Sequence, residues 1–445
     1  MRAILALTAA FLLGAVVTSL PVTRTALSQN DGDGASLEDL QDVMKQVQGT
    51  YVEEVSRDKL IRSAIDGMVS DLDPHSGYLD PEQYKSMQVN TQGEYGGLGL
   101  RVTEQEDGFI EVIAPIEGTP AAASDIKAGD LIVAVEDTPT QQLDLSAAVK
   151  KMRGEPGSEI TITLRRSGQE PFKVTLQREN VTIEPVRTQA FQQIGYLRIT
   201  RFNKQAGSAV SNAIETLRQD KVDGEMRGLV LDLRNNPGGL LKQAIKVSDV
   251  FLDDKQVVSA RGRGGNVSRS YATQAGRQVG EIPIVVLVNA GSASASEIVA
   301  GALRDHDRAI VLGTRSFGKG SIQTVKPLES GGALRLTTAR YYTPSGDSIQ
   351  AEGIKPDIQV AQAEINKKDP SRSLREQDLR GALNREDAGD GDAQDPQASD
   401  TEKAEKSAEE SEADDGETNR LAQDYQLNRA VTLLRGVALM DRKEG

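Results

Sequence analysis

A run of small residues, Ser292-Ala-Ser-Ala-Ser296, and a lysine 25 residues past its middle serine, Lys319, are the side chains of this sequence best suited to attack a carbonyl. A serine hydroxyl is a weak nucleophile and needs a base beside it. The chain has no cysteine and only two histidines, His75 and His306. His306 stands 12 residues after Ser294, which on a helix is roughly 18 Å away at ~1.5 Å per residue, at the wrong end. His75 is remote in sequence, and spacing alone does not exclude it. A Ser-His-Asp triad is therefore poorly supported. A Ser-Lys pair fits better, given a lysine whose pKa is lowered by burial or a nearby dipole. Gly318 and Gly320 flank Lys319 and allow close backbone approach. The competing readings are plain ones: serines that cap a helix, and a lysine that binds phosphate or lies on the surface.

The surrounding elements decide whether serine and lysine can meet. The apolar run Ile282 to Val288, closed by Asn289-Ala-Gly291, reads as a buried strand. A helical pattern follows from Glu297 to Leu303, then a second apolar run from Ala309 to Leu312. Strand, helix and strand with a right-handed crossover make a parallel pair. Ser294 then follows the C-terminal end of the first strand and Lys319 that of the second, on one edge of the sheet. The run Gly228 to Leu233 is another buried strand, and it delivers Arg234-Asn-Asn-Pro-Gly-Gly239 to the same edge, where open α/β sheets place their sites.

Ser292-Ala-Ser-Ala-Ser-Glu-Ile298 followed by Phe317-Gly-Lys-Gly-Ser-Ile-Gln323 resembles the C-terminal processing peptidases, also called tail-specific proteases. Leu72-Asp-Pro-His-Ser76, Asp232-Leu-Arg-Asn-Asn-Pro-Gly-Gly239 and Glu352-Gly-Ile-Lys-Pro-Asp357 agree, so the resemblance spans about residues 36 to 360. It implies a crotonase/ClpP-like α/β serine protease core with an inserted PDZ domain, in an α/β and α+β multidomain chain with N- and C-terminal helices. It implies Ser294 as nucleophile, Lys319 as base and Gln323 as the residue that orients the lysine. The oxyanion donors expected are the amide of Ala295 at a helix N-terminus and one amide of the Gly238–Gly239 pair, with the choice of glycine open. Similar proteins carry an aspartate where Asp305 stands, read here as structural support. Neither metal nor cofactor is required.

The rest of the chain falls into segments. Residues 3–20 are apolar or small after Arg2, and Ala26-Leu-Ser28 suits cleavage before Gln29. Residues 1–28 are therefore expected to be a signal sequence or anchor, and the protein to be exported to the periplasm, soluble or held at the inner membrane. Residues 36–93 read as helical, with a capping-box start at Ser36 and Asp39 and an apolar stripe of Leu37, Leu40, Met44, Val47 and Tyr51. That stripe either packs on the chain's own body or forms a dimer interface. His75 lies in a turn and is read as structural. Residues 94–181 resemble a PDZ domain. Its peptide site is expected at Gly96, Gly97, Leu98, Gly99 and Leu100, whose amides would cradle a terminal carboxylate, with Leu145, Val149 and Met152 completing an apolar pocket.

Residues 182–362 form the expected protease core and 363–419 an acidic, solvated linker. From 384 to 419 there are 14 acidic and 3 basic residues, so about −11 of the chain's −14 resides there. The remaining body is near neutral, which argues against nucleic-acid binding. A last amphipathic helix, 420–445, presents Leu427, Ala430, Val431, Leu434 and Ala438 on one face. It is expected to dock on its own body, a second subunit or a partner. Expected partners are protein substrates through their C-termini and a second copy through the terminal helices, with an adaptor left open. The reading is an exported Ser-Lys endopeptidase that captures protein C-termini. Its rivals are a catalytically silent PDZ scaffold of the same fold and a crotonase-like acyl-thioester enzyme.

Overall fold

The computed structural model describes residues 36–222, 224–274, 278–363, 421 and 423–444. The expected leader, and the acidic linker after its first residue, lie outside the described residues. The chain divides into two compact units at Met68/Val69. The first contains α1 (Leu37–Thr50) and most of α2 (Arg57–Ser70). The expected capping box is present: Asp39 N–H donates to Ser36 Oγ, and Ser36 N–H donates to Asp39 Oδ2 at 2.7 Å. No residue of α1 is buried, and Leu37 and Leu40 are exposed.

The second unit begins with β1 (Gly77–Leu79) and α3 (Pro81–Gln92) and then enters a small β domain. Its strands are β2 (Glu94–Gly97), β3 (Leu100–Glu104), β4 (Ile110–Pro115), β5 (Leu131–Val135) and β6 (Thr138–Pro139), then, after α4 (Leu145–Met152), β7 (Glu159–Arg165), β8 (Phe172–Gln177) and β9 (Glu179–Thr182). The sheet runs β3-β4-β5-β7-β8, which leaves β3 at one edge, and β2 and β9 make a separate ribbon at the root of the insertion. Alternate residues of β7, Ile160, Ile162 and Leu164, enter the core of this domain, the period of two that a half-buried strand requires.

The remaining elements are β10 (Val186–Phe191), β11 (Ile194–Ile199), α5 (Ala206–Thr216), β12 (Gly228–Asp232), α6 (Leu241–Phe251), β13 (Gln256–Arg261), β14 (Val267–Ala272), β15 (Ile284–Val288), α7 (Ala295–Asp305), β16 (Ile310–Gly313), β17 (Ser321–Pro327), β18 (Ala333–Tyr342), β19 (Ile358–Gln359) and α8 (Tyr425–Glu444). The main sheet is ordered β10-β11-β12-β15-β16-β19 and is parallel from β11 onward. A second sheet joins β1, β18, β13 and β14, with β17 on β18.

Strands β12 and β15 are buried along their whole length because both faces of the main sheet are covered. Leu229, Leu231, Ile284, Val286 and Val288 face the core formed with α5, α6 and α7. Val230, Val285 and Leu287 face the other way, against Leu427, Ala430, Val431 and Leu434 of α8. The terminal helix therefore docks on its own body, and its apolar face is not left for a second subunit. Among the described residues, no helix is long and apolar enough to cross a membrane.

Candidate active site

Three loops leave the C-terminal ends of β12, β15 and β16 and are fastened to one another. Asn235 and Asn289 exchange hydrogen bonds, Asn235 N–H to Asn289 Oδ1 and Asn289 Nδ2 to Asn235 Oδ1, both at 2.9 Å. Ala293 N–H and Ser296 Oγ both donate to Asn236 O, at 3.0 and 2.9 Å. Phe317 N–H donates to Ser292 O at 3.0 Å, which fastens the third loop to the second. The sheet edge thus gathers Gly238, Gly239, Ser294 and Lys319, as the crossover requires.

Ser294 precedes the first residue of α7 with φ 56° and ψ −111°. A non-glycine residue at positive φ is strained by about 1–3 kcal/mol and persists only where its surroundings hold it. Gly238 packs directly on it. A Cβ at Gly238 would lie 2.6 Å from Ala293 O, 2.8 Å from Ser294 Cβ and 2.9 Å from the Ala295 nitrogen, so only glycine fits. Gly238 N–H donates to Asn236 Oδ1 at 2.9 Å. Of the glycine pair, Gly239 is thus the one whose amide is not committed to Asn236. Ala295 opens α7, where backbone N–H groups lack intrahelical acceptors and carry the positive end of the helix dipole.

Glu297 organises the site. Its side chain is fully buried, and its carboxylate accepts four hydrogen bonds. Oε2 accepts from Ser294 N at 2.7 Å and Lys319 N at 2.9 Å, while Oε1 accepts from Gly318 N and Ser316 Oγ, both at 2.6 Å. One oxygen therefore ties together the backbones of the candidate nucleophile and the candidate base. Burial lowers the pKa of the half-buried Lys319 and Arg335 lowers it further, against the opposing charges of Asp73 and Glu297. Gln323 lies on β17, after a bulge between Ile322 and Gln323, and its Nε2 donates to Ser321 Oγ at 2.8 Å and Thr337 Oγ1 at 3.4 Å.

The histidines separate. His306 caps the far end of α7, with Nε2 2.6 Å from Gln256 O. His75 lies nearer the site, and its pKa is lowered by burial and then by the Lys319 charge. The Asp73–Ser76 turn that carries it is bonded to β18: Arg335 Nε donates to His75 O at 2.8 Å and Thr337 Oγ1 donates to Asp73 Oδ1 at 3.1 Å. Asp305 accepts from Arg304 and from Ser345 N–H, at the end of α7 away from Ser294. Burial raises its carboxyl, but hydrogen bonds from Thr343, Ser345 and Arg304 bring it below the usual aspartate value.

In the small β domain, Leu98 and Met152 are buried, and Leu100, Leu145 and Val149 pack partly buried against the same core. Leu100 opens the edge strand β3. Gly96 and Gly97 fall in β2 and pair with Asn180 and Glu179 of β9. A Cβ on Gly96 would collide with the Gly154 carbonyl and with Pro156. The loop between β2 and β3 is therefore confined to Leu98 and Gly99, shorter than the sequence suggests. Gly99 itself has φ 78°, and a Cβ there would meet Thr119.

Sequence reasoning treated Glu297 only as a helix former. The signal that could have found it is the Ser-x-x-Glu spacing of a capping box, Ser294 to Glu297. Asn236 and Asp73 lie in turns whose local bonds are visible in sequence, but their bonds to Ile199, Ala293, Ser296 and Thr337 join segments far apart in the chain.

Comparison with known proteins gives three matching families: peptidase family S41 over residues 193–360, PDZ domain over 86–165, and the activating protease CtpB N-terminal domain over 16–83. The carboxy-terminal-processing protease of Bartonella bacilliformis is 46% identical over 357 residues, 79% of this chain and 82% of that protein. A probable CtpA-like serine protease of Staphylococcus aureus is 34% identical over 347 residues, 78% of this chain and 69% of that protein. Among solved structures, the photosystem II D1 C-terminal processing protease is 31% identical, covering 73% of this chain and 92% of that one at a TM-score of 0.44.

Replacing Glu297 by Gln turns one acceptor oxygen into a donor facing backbone or hydroxyl donors. The substitution leaves buried groups unsatisfied at about 1–3 kcal/mol each. Thermal unfolding should show a lowered Tm, and proteolysis of an unfolded substrate should fall by at least an order of magnitude. A Glu297→Gln protein with wild-type turnover would remove Glu297 from its central place.

Proposed function

The chain belongs to peptidase family S41 and is a carboxy-terminal-processing serine protease carrying a PDZ domain; from that premise we propose that Ser294 is its nucleophile, Lys319 its general base and Gln323 the residue that orients the lysine. The observation that carries this reading is the shared Glu297 Oε2, which accepts both the Ser294 and the Lys319 amide although the two residues are 25 apart. The neutral Lys319 amine takes the Ser294 proton as Oγ bonds to the scissile carbonyl carbon. The amides of Ala295 and Gly239 donate to the oxyanion. The lysine proton then passes to the leaving peptide nitrogen as the C–N bond breaks. Water attacks the acyl carbon and gives a proton to Lys319, which passes it to Ser294 Oγ as the acyl C–O bond breaks and the new C-terminus leaves.

Ser294→Ala and Lys319→Ala should each reduce cleavage of an unfolded protein to background while Tm stays near wild type. The base must be neutral, so activity should rise with pH. Because burial lowers the Lys319 pKa from its ordinary 10.5, the midpoint of that rise should fall below 10.5. A folded Lys319→Ala protein with wild-type turnover, or a pH limb carried instead by His75→Ala or His306→Ala, would sink the dyad.

The PDZ domain is proposed to read substrate C-termini. Support comes from the open edge of β3 and from the partly buried Leu100, Leu145 and Val149 beside it. An apolar final residue entering that pocket gains about 1.5–3 kcal/mol, and a charged one loses solvation. Matched substrates ending in Ala, Val or Leu should be cut faster than those ending in Asp or Lys, and amidation should slow all of them. Equal rates across the set would leave the domain as a spacer.

Export to the periplasm and self-association complete the reading. The apolar run of residues 3–20 supports the first, and the exposed stripe of α1 the second. Cell fractionation should recover the protein outside the cytoplasm. Light scattering should give more than one chain per particle, reduced by Leu37→Glu with Leu40→Glu. Cytoplasmic recovery would refute export, and a monomer would refute self-association.

A further inference from the structure

The turn Asp73-Pro-His-Ser76 lies outside the machinery described above, yet it is bonded to the strand that faces Gln323. Asp73 Oδ1 accepts from His75 N at 2.8 Å, Ser76 N at 3.0 Å and Thr337 Oγ1 at 3.1 Å, and Oδ2 accepts from Ser76 Oγ at 2.6 Å. Ser76 Oγ in turn accepts from Thr337 N at 3.1 Å. The Asp73 and Ser76 side chains therefore both reach one residue of β18, Thr337. In the register of the β17–β18 pair, Thr337 stands opposite Gln323, and its hydroxyl oxygen accepts from Gln323 Nε2 at 3.4 Å.

This chain of bonds has a direction. A carboxylate only accepts, and a threonine hydroxyl has a single proton to give. Once that proton goes to Asp73, Thr337 can meet Gln323 only as an acceptor, so the Gln323 amide must present its NH2 group to Thr337. Ser321 Oγ receives from the same Nε2. The amide oxygen, Oε1, is thereby left to accept from another donor, the role the dyad reading gives to the lysine amine. With the sense reversed, Gln323 would offer Lys319 a donor, which cannot hold a protonated amine.

Resting on the dyad reading above, we propose that Asp73 and Thr337 are positioning residues of the peptidase reaction: the Asp73 carboxylate fixes the proton of Thr337, and Thr337 fixes the flip of the Gln323 amide that orients Lys319. The carboxylate has a second effect through space. The charged and titratable groups bearing on Lys319 are Asp73 and Glu297, which favour its ammonium form, and Arg335, which disfavours it; His75 beside them is itself lowered by Lys319. Burial would raise the Asp73 carboxyl, but its bonds from Ser76, His75 and Thr337 bring it to about 2, so it stays charged throughout the working range.

The test uses the full-length protein and a peptide or unfolded protein that the wild type cuts. Thr337→Val keeps the shape and removes the relay. It should lower kcat on the order of 10²-fold, as misplacement of a reacting group does, with KM unchanged. Thr337→Ser restores the hydroxyl and should restore kcat. Asp73→Asn removes the charge and lets a carboxamide NH2 face Thr337. It should lower kcat likewise and also move the ascending pH limb to lower pH, because a charge that favours the lysine ammonium is gone. A Thr337→Val enzyme with wild-type kcat, a loss confined to KM, or a Thr337→Ser enzyme as impaired as Thr337→Val overturns the relay. An unmoved pH limb in a folded Asp73→Asn enzyme overturns the role given to its charge. If Asp73→Asn fails to fold, the Thr337 pair alone decides. Lys319→Ala is the control: activity surviving in that variant defeats the dyad, whereas an inactive Lys319→Ala beside an unaffected Thr337→Val defeats only the relay.

Discussion

A single buried carboxylate holds together the sheet edge that carries the candidate site. Glu297 is removed from solvent, and isolating a charge there would be prohibitive without compensation. Four donors supply it: the amides of Ser294, Gly318 and Lys319 and the hydroxyl of Ser316. Such charge-assisted bonds are short and directional, so the loop after β15 and the loop after β16 are held as one piece. The positive φ of Ser294 is intelligible in that light. The bond from Ser294 N–H to Glu297 is one of the contacts that hold this strained residue in place.

The loop after β12, which carries Gly238 and Gly239, is held by a different ion cluster. Asp232, buried at the end of β12, accepts from the Tyr196 hydroxyl at 2.8 Å and from the Arg234 guanidinium, with Nη2 at 2.7 Å from Oδ2. Arg234 also reaches Asp424 through Nη1 at 2.8 Å and Nη2 at 2.7 Å. Burial works against the Arg234 charge, but the two carboxylates raise its pKa well above the usual arginine value. The residue that begins the Arg234–Gly239 loop is thus clamped between its own strand and the start of α8. Removing either acid alone would leave a buried cation half-compensated, the circumstance in which buried ion pairs matter most.

Much of this was legible in sequence because the determinants are local. The apolar runs of β12 and β15 announce a sheet covered on both sides, and the runs of β15 and β16 on either side of α7 dictate the parallel crossover that brings Ser294 and Lys319 to one edge. What could not be read depends on partners far along the chain. The face of α8 pointed to burial but not to its target, which is the β12–β15 face across a long intervening segment. Gly96 looked like part of a ligand loop, whereas its lack of a side chain is explained by the Gly154 carbonyl pressed against it. The Asp73–Ser76 turn looked structural because its partners, Arg335 and Thr337, lie some 260 residues away.

These fastenings also explain how one lysine can be poised rather than merely buried. Desolvation alone would drive Lys319 toward its neutral form and make the pocket costly whenever the proton returns to it in the proposed reaction. Arg335 pushes in the same direction, and Asp73 and Glu297 push back. Both acids precede the lysine in the chain but come from distant segments, one before the PDZ insertion and one after the β15 strand. The first reaches the site through the β1–β18 pairing, where Gly77 lies opposite Arg335, and the second through the capping position of α7. A base must accept a proton in one step and return it in the next, so neither protonation state can be much favoured. Burial supplies one half of that balance, and acids anchored on two separate elements supply the other.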